Sequence, residues 1–134
     1  MVRQEYKHLK ADEKAIAKRF YESGLLPGRY EYDVHLSSPE IQFPAHWTKK
    51  DFEHWSALRD KRIDIVVHAD NADWVLEVTP KLSKAAVGGC TVYRQLYMEQ
   101  FKPGVPTNVG IVVEVDDKAY HTTCDRYGIK VWVV

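Results

Sequence analysis

Residues 62–80 read RIDIVVHADNADWVLEVTP, and the fold turns on this stretch. Two runs rich in β-branched residues, 62–68 and 74–79, flank the turn-forming segment ADNAD, the pattern of an antiparallel hairpin. An acid interrupts each apolar run: Asp64 in the first, Glu77 in the second. Side chains alternate between faces along a strand, so Asp64 shares a face with Val66 and His68, and Glu77 with Val75 and Thr79. Centring the turn between Asp70 and Asn71 sets residue 64 opposite residue 77. Carboxylates side by side across two strands repel unless something positive lies between them. A hard divalent cation meets that need, because Mg²⁺ takes one or two carboxylates and completes its shell with water and phosphate oxygens. The plainer alternative is a pair of ordinary ion pairs, Asp64 with Lys61 or Arg62 and Glu77 with Lys81 or Lys84. Pro80 lacks an N–H and is expected to close the second strand.

Downstream, residues 83–101 have helical periodicity, with Ala86, Val92, Tyr93, Leu96 and Tyr97 as the expected apolar face. Gly88 and Gly89 lie inside this helix, each costing about 1 kcal/mol relative to Ala. Close approach of the helix to a sheet is the reason expected for them. Residues 108–115 (NVGIVVEV) and 128–134 (GIKVWVV) are apolar runs suited to buried strands. Upstream, residues 12–23 predict a helix with Asp12 as N-cap, ended by Gly24. Residues 29–36 alternate Tyr30, Tyr32, Val34 and Leu36 against Glu31, Asp33 and His35, and predict a strand. Residues 37–48 are expected to be a loop, and 49–59 a short helix carrying Phe52, Trp55 and Leu58. This order predicts one α/β domain over residues 1–134, a mixed central sheet flanked by helices.

Asp64, a turn, then Glu77-Val78-Thr79-Pro80 resembles the D…ExK core of the PD-(D/E)XK, or restriction-endonuclease-like, nucleases, particularly variants written EVKP. The following AVGGCTVYRQLY (residues 86–97) is similar to the AxGQxxxY helix of RecB-like and phage-encoded members. The closing YGIKVWVV (residues 127–134) is similar to their final strand, and Glu13 matches their helical acid. The resemblance runs through nearly the whole chain; its strength is in the order of the elements, since D…ExK alone is a weak pattern. It implies a metal-dependent DNA endonuclease in which Asp64, Glu77 and Glu13 hold Mg²⁺ or Mn²⁺. It also implies a homodimer and a phage or mobile-element origin. Two departures bear on activity. The family's lysine is Thr79 here, leaving Lys81, on the same strand parity, to supply a cation. Its helix glutamine is Gly89, with Tyr93 retained four residues on. The catalytic set expected is therefore Asp64, Glu77, Thr79 and Lys81, with Lys61, Arg62, Lys84, Tyr93 and Arg94 against nucleic acid. The competing expectation is a non-catalytic nucleic-acid or protein-binding module on the same fold.

Composition narrows these readings. The 134 residues carry 19 basic and 19 acidic side chains, a formal net charge of zero. DNA contact therefore depends on a local basic patch. The densest candidate, Lys49, Lys50, Arg59, Lys61 and Arg62, is interrupted by Asp51, Glu53 and Asp60 and reads equally as a solvated face. Tyr30, Tyr32, Trp47 and Trp55 have the chemistry to stack on bases, but packing is the expected role of most of them. Cys90 and Cys124 have no metal-binding spacing and are expected to be packed thiols. His121 and Cys124 lack further ligands nearby, so no zinc site is expected. The polar start and the lack of an apolar run of roughly 20 residues predict a cytoplasmic protein without a membrane span. No Gly-rich phosphate loop is present, so no nucleotide cofactor is expected.

Overall fold

The computed structural model describes residues 9–36, 45–51 and 61–134. Its elements are α1 (Ala11–Ser23), β1 (Arg29–Leu36), β2 (Lys61–His68), β3 (Asp73–Lys81), α2 (Lys84–Phe101), β4 (Thr107–Val115), a 3₁₀ turn (Lys118–Tyr120), α3 (His121–Arg126) and β5 (Ile129–Val133). The sheet order is β1-β2-β3-β4-β5. β1, β2 and β3 run antiparallel to their sequence neighbours, whereas β3, β4 and β5 are mutually parallel. This is the expected α/β architecture: a mixed five-stranded sheet flanked by helices. The 3₁₀ turn and α3, which carry the chain from β4 to β5, have no clear periodicity and were not expected.

Helix α1 covers one face. Ile16, Ala17 and Phe20 pack with Ile65, Val67, Leu76, Val78, Val112 and Trp132. Burying a side chain such as Ile16 or Phe20 contributes roughly 1.5–3 kcal/mol. Helices α2 and α3 cover the other face, where Val87, Cys90 and Cys124 meet Val109, Ile111 and Val113. Farther along α2, Tyr97 meets Val66 and Val75. β4 is thus buried on both faces, as its unbroken apolar run requires. At Gly110 the ring of Trp132 occupies the space a Cβ would need. Tyr30 stacks on Phe20 and Tyr21, so its role is packing, and both cysteines are buried, reduced core residues.

Several local expectations are corrected. Lys10, not Asp12, is the N-cap of α1, because the Glu13 carboxylate accepts the Lys10 N–H at 3.0 Å and so begins the helix earlier. Pro80 does not end β3, which continues to Lys81. The β2–β3 pairing has stopped at Ile65↔Leu76, so Pro80 lies where β3 is paired only with β4 and a missing donor is tolerated. Gly88 and Gly89 do not approach the sheet: a Cβ on either meets nothing within 4 Å. Val92, expected on the apolar face, is 50% exposed. Residues 49–51 open a helix as expected, with Thr48 Oγ1 accepting the Asp51 N–H at 3.2 Å. Residues 52–59 of the expected helix, with Phe52, Trp55, Leu58 and Arg59, lie outside the described residues, as does most of the expected loop at 37–48.

Candidate metal centre

β2 and β3 pair as Ile65↔Leu76, Val66↔Val75, Val67↔Trp74 and His68↔Asp73. That is the expected register, and its next pair would be Asp64 with Glu77. The strands part there instead. The Val78 N–H, freed from the ladder, donates to Asp64 Oδ2 at 2.8 Å. On the other side of β2 the pairing steps from Tyr32↔Ile65 to Val34↔Ile63, passing over Asp33 and Asp64. Asp33 has a left-handed backbone, φ 59°, a conformation Asp tolerates better than most residues. Arg62 holds its carboxylate at 3.1 Å. Asp64 is therefore fixed at a break in both flanking ladders, and it is buried.

Glu77 shares the parity of Val75, toward α2, whereas Asp64 sits where alternation fails: Tyr32 and Ile65 pack under α1, but Val34 and Ile63 pack with the α2-side cluster. Glu77 is pushed up to about 9, first by burial, then by the charges of Asp64 and Glu13 and by the contact with the Asp64 carboxyl. Among the described residues, every influence on Glu77 raises it. Its Oε1 is sealed from solvent without a hydrogen-bond partner. A buried, unsatisfied carboxyl oxygen costs about 1–3 kcal/mol or more. The ordinary ion-pair alternative for Glu77 is thereby overturned.

Above the acids lie Tyr93 and Cys90 of α2. Burial raises the Tyr93 hydroxyl, and Glu77 and Asp64 raise it further. The Cys90 thiol is pushed up to about 12 by burial and then by Glu77. Cys90 had no site role in the sequence reading; its position three residues before Tyr93, on the same helical face, was the available signal. Glu13, in the first turn of α1, is close enough to raise Glu77 although α1 covers the opposite sheet face. Its Oε1 is engaged with the Lys10 N–H. Among the described residues, no three His, Cys, Asp or Glu side chains are gathered closely enough to surround a metal ion.

The remaining expected residues are dispersed. The Thr79 hydroxyl donates to the Lys81 carbonyl at 3.3 Å. Lys81 Nζ lies 3.9 Å from Asp117, so the cation expected to stand in for the family's lysine is turned toward the 3₁₀ turn. Arg62 is occupied with Asp33, and Lys61 is half-buried at the start of β2. Lys84 and Tyr93 are nine residues, two and a half turns, apart on α2 and leave it on opposite sides. Arg94 is half-buried beside Tyr93. No helix among the described residues is long and apolar enough to cross a membrane.

Compared with models of protein families, with curated proteins and with solved structures, the chain finds no match.

Proposed function

We propose that the chain is a metal-dependent DNA endonuclease with the restriction-endonuclease-like fold and a weakened site, in which Asp64 and Glu77 hold Mg²⁺ or Mn²⁺. One observation carries this reading: half-buried Glu77 meets buried Asp64, every influence of the described residues raises it, and its Oε1 has no hydrogen-bond partner among them. The donors fit the ion, being hard oxygens, two in number, with water and phosphate left to complete the shell. Glu13, on α1, acts on Glu77 through its charge but is not gathered with the two acids. A bound ion supplies Lewis-acid activation of a phosphodiester and of water.

The chain's own contribution is positional. Asp64 is held by the Val78 amide, so its second oxygen is presented at a fixed place. Binding an ion requires Glu77 to give up its proton, which couples binding to pH. Tyr93 closes the acids off on the α2 side. With Thr79 in the lysine position and Lys81 turned to Asp117, the strand that carries Glu77 presents no ammonium group to charge building on the phosphoryl oxygens. The absence of one such group commonly costs a factor of about 10²–10³ in rate. DNA is the polymer substrate in this reading, and a second copy of the chain is a partner.

Thr79 in the lysine position also favours a second reading, a non-catalytic nucleic-acid or protein-binding module on the same fold. The test is cleavage of plasmid, single-stranded and branched DNA with Mg²⁺ or Mn²⁺, beside Mn²⁺ binding measured directly. Metal-dependent cleavage abolished by Asp64→Ala and raised by Thr79→Lys supports the nuclease. Equal cleavage by wild type and Asp64→Ala removes the site from the chemistry. Neither Mn²⁺ binding nor cleavage, in wild type and Thr79→Lys alike, leaves the non-catalytic module.

A further inference from the structure

The outer face of α2 poses a problem that packing among the described residues does not solve. Gly88 is exposed in the second turn of an 18-residue helix, and neither it nor Gly89 is required by any described neighbour within 4 Å. Each lowers helix stability by about 1 kcal/mol relative to Ala. Beside Gly88, an apolar groove of about 390 Å³ runs between α2 and α3, bordered by Val87, Val92 and Tyr127. Val92 is 50% exposed and Tyr127 53%.

At 100° per residue, Lys84, Gly88, Val92, Gln95 and Glu99 fall on one stripe of the helix. The order of charge along it is decisive: cationic at the N-terminal end, small and apolar in the middle, anionic at the C-terminal end. A helix of this kind is complementary to itself turned end for end. Antiparallel pairing about a two-fold axis between Thr91 and Val92 sets Lys84 against the partner's Glu99, and Glu99 against the partner's Lys84. The same register brings the partner's Gln95 and Val92 over Gly88, where the absent Cβ lets two helices approach closely.

We propose that this stripe and the adjoining groove are the interface of a homodimer, built by antiparallel packing of α2 on a second copy of the chain. The surface gives the homodimer of the preceding section a location, and it does not depend on the nuclease chemistry. A two-fold contact is the expected form, since one patch serves both subunits. It assigns Lys84 to the partner subunit rather than to nucleic acid, and leaves the acid site, on the other side of α2, open in both copies.

Sedimentation over a range of concentrations tests the interface. Wild type is expected to form a dimer. Lys84→Glu and Glu99→Lys each place like charges at both ends of the contact and should weaken association by about tenfold or more. The double variant Lys84→Glu/Glu99→Lys restores opposite charges and should recover the dimer. Val92→Cys, beside the axis, should give a disulfide-linked dimer on mild oxidation, whereas the buried native cysteines should not. Circular dichroism of each variant establishes that it is folded. A wild type monomeric at all concentrations overturns the homodimer and this surface together. A dimer indifferent to both single swaps, with no cross-link through position 92, overturns the surface alone. DNA cleavage assays report separately on the nuclease reading.

Discussion

The two ends of the β2–β3 hairpin carry the same ingredients and treat them differently. Near the turn, buried Asp73 accepts the Tyr97 hydroxyl at 2.6 Å and lies 2.9 Å from His68 Nδ1. Beyond His68, Glu31 Oε2 is 3.3 Å from Nε2, and Arg29 is 2.8 Å from Glu31. The His68–Glu31 contact is an ion-pair distance without hydrogen-bond alignment, since Nε2 has no bonded partner. Even so, Glu31 is held below its usual value; burial opposes this, and Arg29 and His68 more than offset it. At the far end, beneath the same helix, buried Asp64 and half-buried Glu77 meet, and every influence of the described residues on Glu77 raises it. Asp73 is balanced by the chain's own donors and reads as structural. Glu77 is not, and the missing partner is the reason to look for a ligand there.

The largest effect expected from this contrast is on stability against pH. The folded-state value of Glu77 is raised from 4.5 to about 9, so between those limits the native state holds a proton that the unfolded chain has lost. Metal-free protein should therefore lose stability as pH rises through that window, with a slope approaching about 1.4 kcal/mol per pH unit. Glu77→Gln should flatten the curve. Denaturant melts from pH 5 to 9 measure both; an equal slope in wild type and Glu77→Gln would dissolve the contrast.

Next in size is the response to metal. Mn²⁺ at a hundred times its dissociation constant should stabilise wild type by about 2.7 kcal/mol. Tyr97→Phe should respond as wild type does, and Asp64→Ala not at all. A response that survives Asp64→Ala would place the ion elsewhere.

Tyr97→Phe itself should cost about 1–3 kcal/mol, because it leaves a buried Asp73 oxygen without its hydroxyl donor. Thermal melts at fixed pH read this directly, and a neutral result would mean that Asp73 finds another donor.

The smallest effect concerns the helix that spans both ends. Gly88→Ala should stabilise the monomer by about 1 kcal/mol through helix propensity alone, without altering the pH slope or the Mn²⁺ response. A loss of stability in dilute, monomeric protein would show that Gly88 is already packed within its own chain.

Local pattern was sufficient for most of the framework. β-branched alternation fixed the hairpin and its register, since a slip of one residue would have turned every apolar side chain outward, but it did not foresee that Val34, Leu36 and Ile63 change face at the Asp33–Asp64 break. Uninterrupted apolar runs identified β4 and β5 as strands, though only β4 is buried on both faces and β5, at the sheet edge, is half exposed, and 3.6-residue periodicity gave α1 and α2. What the sequence left undetermined depends on contacts between distant residues. The parting of β2 from β3 at Asp64, the capture of the Val78 amide and the approach of Glu13 from the opposite face have no local signature. Lys81 shares the parity of Glu77, yet its long side chain turns to Asp117, a choice parity does not govern. Gly88 and Gly89 were read as a close approach to the sheet because glycine in a helix implies proximity to something; sequence does not say on which side. The Asp73–Tyr97 bond joins residues 24 apart in the chain. Periodicity specifies which face a side chain occupies, and only the packed chain decides which partner it meets there.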